Sequence, residues 1–332
     1  MTVTAGEFDV DSAIGGEERD TTIAGRSPGQ IARSRFRRDK VSMVCLAILV
    51  FFILLAIAAP ILNAVGVIDP DSGHPDLVQG IGSMPTGHLG GVSSDHWLGV
   101  EPQTGRDLLS RVVVGLTSSF IIAASATFIA IFIGTVVGII SGFSGGWVDT
   151  GLGRFMDLVL AFPQLLMLLA LSQPLKDRLT AMGVPDGNTV DFAYVIIVLG
   201  FFGWPYFARI IRGQVLSLRE REFVEAARSL GAKGPRIWFT ELLPNIWAPI
   251  LVYMSLILPQ YIAAEATLSF LGVGIRPPTP TLGSLLTDSV NYLLVDPMFF
   301  WAPGGLLVII VLAFNLVGDG LRDALDPKSD RH

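Results

Sequence analysis

The chain has 332 residues, of which 51% are hydrophobic and 16% charged, with a formal net charge of −6. So apolar a composition at this length excludes an ordinary soluble protein and points to an integral membrane protein. The net acidity argues against a nucleic-acid partner, and a single cysteine, Cys45, excludes an intrachain disulfide framework.

Residues 1–33 begin with Glu7, Asp9, Asp11, Glu17, Glu18 and Asp20 among Gly, Ser and Thr, without apolar periodicity. Such a stretch cannot bury enough apolar surface to fold, and a disordered cytoplasmic tail is expected. No apolar core follows Met1, so a cleavable signal is not expected. Residues 34–66 join a basic segment to the first apolar run. Arg33, Arg35, Arg37, Arg38 and Lys40 precede a span expected at 41–65, with Pro60 near its far end and Cys45 inside it as a small buried hydrophobe. A bilayer crossing needs about 20 apolar residues, and a basic cluster beside one stays in the cytoplasm.

Residues 67–113 are polar, rich in Gly and Pro and poor in basic residues, as an extracytoplasmic connection would be. They include His74, His88 and His96, which lack tight ligand spacing and clustered cysteines, so no metal site is expected. Residues 114–320 hold five further expected spans, at 118–140, 152–171, 192–211, 246–271 and 299–317; residues 321–332 form a second cytoplasmic tail. The second span is rich in Ala, Gly and Ser, the third contains Pro163, and the fourth contains Gly200, Gly203 and Pro205. Small residues of this kind let helices pack closely in a membrane.

The fold class expected is therefore all-α: a polytopic membrane protein of six transmembrane helices. Charge sets its orientation. One side carries Arg212, Arg219, Arg221, Arg228, Lys233 and Arg236, then Arg322, Lys328 and Arg331; the other carries Arg106, Arg111, Lys176, Arg178 and Arg276. The bias places both termini and the loop at 213–245 in the cytoplasm.

That loop is the longest charged segment in the second half of the chain, and reads EREFVEAARSLGAKGPRIWFTELLPN from Glu220 to Asn245. Phe223, Ala226, Ala227 and Leu230 share one helix face. Gly231 sits where a left-handed glycine ends a helix, and Pro235 can open a second one. A helix, a tight turn and a short second helix held against the membrane are predicted. Glu265 stands out in the fifth span, whose neighbours are nearly free of charge. An acid there is a candidate for the substrate pathway. The alternatives, a residue facing water at the outer mouth or paired within the bundle, are preferred. No phosphate-cradling GxxxxGK[ST] loop, nucleophile elbow or HExxH motif is present, so neither an ATPase nor a membrane-embedded enzyme is expected.

Glu225-Ala226-Ala227, Gly231 and Leu243-Pro244 resemble the EAA signature of permease subunits of ABC importers, with one departure: Glu241 replaces the usual apolar residue two before Leu243. His96-Trp97-Leu98-Gly99 with Gly105-Arg106-Asp107 is similar to a segment of dipeptide and oligopeptide permeases. So are the run from Glu265 to Gly272 and the ending Phe314-Asn315-Leu316-Val317-Gly318-Asp319-Gly320-Leu321-Arg322-Asp323. The basic segment and first span resemble the N-terminal module of the same group, whose relatives handle nickel and other solutes. The resemblance implies a type I ABC importer permease fold in a bacterial cytoplasmic membrane, and the role of second permease subunit in peptide uptake. It implies a second homologous permease subunit, two ATP-binding subunits or one fused ATPase holding the ATP and Mg, and an extracytoplasmic solute-binding protein. Glu225, Ala226, Ala227, Gly231, Leu243 and Pro244 would then couple to the ATPase, with no cofactor in this chain. The other expectations are the same complex carrying nickel, haem or another small solute, and a stand-alone secondary transporter. The latter would use intramembrane charges and have no docking motif.

Overall fold

In a bilayer every backbone polar group must find its partner within the protein, and helices do this within one segment. The structure, a computed structural model, describes residues 28–80 and 82–326 and is built almost wholly of helices. The acidic residues of the expected N-terminal tail, and Lys328 and Arg331, lie outside the described residues. Two helices open the described chain: α1 (Pro28–Arg38), which takes in the last residues assigned to the tail, and α2 (Lys40–Ala64). Asp39 separates them and caps α2, its carboxylate accepting from the Val41 N–H at 3.0 Å.

A lobe over residues 65–80 and 82–107 follows. Its only strands among the described residues are the two-residue β1 (Val78–Gln79) and β2 (Met84–Pro85). Then come α3 (Leu108–Ser144), α4 (Gly146–Ala161), α5 (Gln164–Ala181) and α6 (Asn188–Leu218). The loop after α6 holds α7 (Glu222–Ser229), α8 (Gly234–Ile237), a π turn over Trp238–Leu242 and α9 (Leu243–Asn245). Last are α10 (Trp247–Phe270), the short α11 (Leu282–Ser289) and α12 (Pro297–Leu325).

Helices α2, α3, α6, α10 and α12 are long and apolar enough to cross a membrane. The third expected span departs from prediction: it is two helices, α4 and α5, bent by 85°. Pro163 is the cause. It supplies no N–H to continue the ladder, and it holds Phe162 in an extended conformation (φ −81°, ψ 131°). The pair still carries the chain across once, because α3 and α6 run parallel. A Cβ on Gly134, Gly138 or Gly142 of α3 would come within 2.9 Å of the carbonyl oxygens of Trp204, Ala208 and Arg212 in turn. This every-fourth-residue seam is the close packing that the small residues of the second span foretold. Since α3 and α6 end on the same side, α4 and α5 must return the chain between them, making six crossings.

Helix α3 begins ten residues before the predicted span, inside the segment assigned to the external connection. The Asp107 carboxylate caps it by accepting from the Ser110 N–H at 2.7 Å, and its first turns are buried beneath the lobe. Glu101 and Arg111 are buried side by side there, and the Arg111 guanidinium also donates to the carbonyls of Pro70 and Pro278 at 3.3 Å. In the lobe His96 Nδ1 lies 2.9 Å from Asp107 Oδ1, with the His74 ring 5.0 Å from that of His96. Among the described residues no group of three His, Cys, Asp or Glu is placed to hold a metal ion.

At the opposite end, the two glycines of the Gly318-Asp319-Gly320 ending acquire a physical reason. A Cβ on Gly318 would approach Leu256 and Ser255 of α10 at 2.9 Å, and one on Gly320 would overlap Ser42 of α2. Arg35 of α1 donates to the Asp326 carbonyl at 2.9 Å, so the N-terminal module is held against the end of α12.

Candidate functional site

The segment between α6 and α10 sits on a small core of its own. Val224, Ile237, Leu242 and Ile246 are buried against Ile139 of α3, Phe207, Ile211 and Val215 of α6, and Ile250 of α10. Three membrane helices thus form its base. Helix α7 buries Val224 and half-buries Ala227 there. Phe223, Ala226 and Leu230, which the spacing groups into one apolar face, point outward instead: Leu230 is 88% exposed and Phe223 37%. Apolar residues at 223 and 224 offer two registers about 100° apart, and tertiary packing selects the one through Val224.

The helix ends as the sequence predicts. Gly231 has φ +82°. Its N–H donates to the Arg228 carbonyl at 2.9 Å, and the Ala232 N–H donates to the Ala227 carbonyl at 3.0 Å. These two bonds are a Schellman motif, which satisfies carbonyls that the helix end leaves free. No atom lies near the position of a Gly231 Cβ, so the demand for glycine there is conformational. Pro235 then occupies the first turn of α8, as expected.

Around the turn, the Arg228 guanidinium lies 4.9 Å over the Phe143 ring, and Phe143 meets Trp238 edge-on at 6.1 Å. Arg219 donates to the Gly142 carbonyl at 3.0 Å. Together they lock the loop onto the end of α3. Glu225 is exposed and so is Pro244, while Leu243 is partly buried against the core. The six motif residues therefore lie on one structural unit, and its outward surface is the one formed by Phe223, Glu225, Ala226 and Leu230. The irregular Glu241 lies within the π turn. That turn adds one residue to the helical register, burying Leu242 and leaving Glu241 at the rim.

Glu265 is not at a water-filled mouth. It is completely buried, and accepts from Ser119 of α3 at 3.0 Å, Ser269 of α10 at 2.9 Å and Thr281 at 2.8 Å. Of the alternatives, pairing within the bundle is the one the structure shows; the carboxylate offers no surface to a passing solute in this conformation. Two charged clusters were missed by treating Glu265 as the exception. Asp191 at the start of α6 is buried between Lys176 and Arg276, each at 2.8 Å. Arg154 and Asp157 of α4, with Arg209 of α6, fall inside the expected spans themselves. The signal was the i, i+3 spacing of Arg154 with Asp157 and of Arg209 with Arg212.

Residues 134–331 match the family of binding-protein-dependent transport system inner membrane components, and residues 27–75 match the N-terminal TM domain of oligopeptide transport permease C. The chain is 35% identical to the dipeptide transport system permease protein DppC of Alkalihalophilus pseudofirmus over 91% of its own length and 90% of that protein's. It is 36% identical to the oligopeptide transport system permease protein OppC of Bacillus subtilis, over 97% and 96% of the two chains. With OppC of Escherichia coli K12 it shares 35% identity over 92% and 93%. Among solved structures, an inward-facing form of the MetNI methionine ABC transporter superposes with a TM-score of 0.52 at 19% identity, covering 66% of this chain and 98% of that one. That likeness supports the type I importer permease fold. This chain belongs to the family of binding-protein-dependent transport system inner membrane components, the multi-pass inner-membrane permeases that work with other subunits of ABC importers.

Proposed function

We propose that this chain forms half of the translocation pathway of an ATP-driven peptide importer and receives its driving force through the loop at 213–245. The observation that carries the coupling role is the outward face of α7. An apolar patch of Phe223, Ala226 and Leu230 beside Glu225 stands on a base made by α3, α6 and α10, and its exit is fixed by Gly231. A push on that patch is passed to three membrane helices at once. Leu243 and Pro244 complete the unit from the far side of the loop.

The proposed domain division follows: a tail at 1–33, an N-terminal module at 34–66, an external connection at 67–113, the transmembrane domain at 114–320 and a tail at 321–332. The basic residues near the loop support a cytoplasmic position for it and for both termini. The partners proposed are a second homologous permease, two ATP-binding subunits or one fused ATPase carrying ATP and Mg, and a solute-binding protein outside. Peptide as the solute rests on the similarity to dipeptide and oligopeptide transport permeases. A stand-alone secondary transporter would have no use for so exposed an apolar helix on its loop, and the chain's lack of a phosphate-cradling loop leaves ATP hydrolysis to a partner.

The test is reconstitution of the complete complex in proteoliposomes, with Leu230→Glu as the variant. Uptake of a tripeptide and ATP turnover stimulated by the binding protein should both be lost, with this chain still inserted. Unchanged uptake and turnover would remove the patch from the coupling interface.

A further inference from the structure

A cavity lies on the same side of the bundle as the loop, between α4 and α6, with a volume of about 360 Å³. Its wall carries Asp149, Arg154, Asp157, Arg209 and Arg212. Two of the arginines are already matched. Arg212 grips Asp149 through Nε at 2.5 Å and Nη2 at 2.7 Å, and Arg209 pairs with Asp157. Arg154 is exposed, and its side chain has no hydrogen bond or ion pair among the described residues. Three cations against two carboxylates leave one positive charge in the pocket.

Position narrows what can answer that charge. Arg209 and Asp157 are half-exposed, at 48% and 52%, yet both lie on helices that cross the membrane. Charged side chains in such helices turn toward a water-filled path or a protein partner rather than lipid tails. Gly153 lines the cavity, and a Cβ there would meet nothing within 4 Å. The paired arginines are held in place, and Arg154 presents a planar fork suited to two oxygens of a carboxylate.

We propose that this pocket lines the pathway on the loop side and that Arg154 binds the free carboxylate of a solute on its way out. The inference rests on the importer reading above. It adds a preference for a negatively charged end group, imposed by the permease itself.

The test labels the pocket wall with Arg154 left in place. Thr150 lines the cavity and is exposed; Thr150→Cys is made in a Cys45→Ala background and assembled into the complete complex. Labelling by a charged, membrane-impermeant methanethiosulfonate is timed with tri-L-alanine, with its C-terminal amide, and in vesicles with or without phosphatidylglycerol. Rapid labelling, slowed several-fold by tri-L-alanine and not by the amide, is expected, and Arg154→Gln should abolish the protection. Absence of labelling would place the pocket under a subunit or lipid and overturn the inference. Equal protection by acid and amide would overturn it, as would protection by phosphatidylglycerol alone. Uptake of tri-L-alanine by the unmodified complex is measured first on the same preparation; failure there would count against the peptide-importer reading and not against the pocket.

Discussion

Ser119 of α3 donates its hydroxyl to Glu265 of α10 at 3.0 Å, and the same Ser119 oxygen accepts the Leu282 N–H at 3.1 Å. One serine thus ties α3, α10 and the start of α11 together. Thr281 does the same from the other side: its hydroxyl donates to Glu265 and accepts from the Ser284 N–H at 3.0 Å, in a capping box that opens α11. Glu265 is the hub of these bonds, which join the segment after α10 to the bundle.

Replacing the hub should therefore affect stability before transport. Glu265→Ala removes the acceptor for three buried hydroxyls and leaves a void, at a cost of roughly 3 kcal/mol. Glu265→Gln keeps an acceptor oxygen and should cost about 1 kcal/mol. Thermal unfolding of the purified complex in detergent should rank wild type above Gln and Gln well above Ala, with uptake per folded complex unchanged in the Gln variant. A Gln variant of normal stability but poor uptake would return Glu265 to the solute pathway.

Gly320 is a packing glycine, and its partner is identifiable. Gly320→Ala should force α2 away from α12 because the new methyl would overlap Ser42; overpacking of this kind costs about 1–3 kcal/mol. Proteolysis between α1 and α2 should accelerate in the variant. Ser42→Gly in the same chain should restore protection, whereas an equally sensitive double variant would show that the contact is not what positions the N-terminal module.

The lobe that carries Glu101 should loosen as pH rises. Burial pushes the Glu101 carboxyl above its ordinary value of 4.5, outweighing the attraction of Arg111. A carboxyl whose pKa is raised on folding contributes stability that is fully present below the unfolded value and is lost as pH climbs through the folded one. The loss should therefore begin near 4.5 and continue upward. Hydrogen exchange in residues 65–107 should quicken across that window, and Glu101→Gln should flatten the dependence. Arg111→Leu should enlarge the total loss, because the buried carboxylate then lacks the guanidinium it pairs with. A lobe equally protected at all pH values in the wild type would contradict this.

These residues also indicate what the sequence could show. The spans were legible because hydropathy is additive along a helix and needs no knowledge of neighbours. The Gly231 turn was legible because a positive φ is a local demand. The extension of α3 was not: Leu108 to Thr117 is helical because Asp107 caps it and the lobe covers it, and the lobe is a tertiary fact. The face of α7 was misassigned because Phe223 and Val224 are equally apolar, and only the core beneath decides between them. For Glu265 the sequence left a mouth residue and a residue paired within the bundle undivided, because its hydroxyl partners come from α3, α10 and the turn before α11, up to 146 positions away in the chain. The Arg154 pocket stayed hidden because its charges are divided between two helices that the sequence does not bring together.

The turn at Gly231 provides the sharpest test of coupling. Its φ of +82° is a conformation that a β-branched residue adopts only at a cost of about 1–2 kcal/mol. Nothing lies within 4 Å of a Cβ placed there, so the cost is not a clash at Cβ. What Gly231→Val would break is the pair of bonds from Gly231 and Ala232 back to Arg228 and Ala227, which set the angle of α7 on its base. The spans are packed elsewhere, along the Gly134–Gly138–Gly142 seam and around Glu265, so insertion and thermal stability of the bundle should stay near wild type. In proteoliposomes the complex should either lose its ATPase during purification or keep it and lose ATP turnover stimulated by binding protein and tripeptide. Gly231→Asn serves as the control, because asparagine tolerates a left-handed backbone better than valine does and should retain much of the turnover. A valine variant that assembles and turns over like wild type would mean that the angle of α7 is irrelevant to the ATPase, and that the exposed patch of Phe223, Ala226 and Leu230 meets something else.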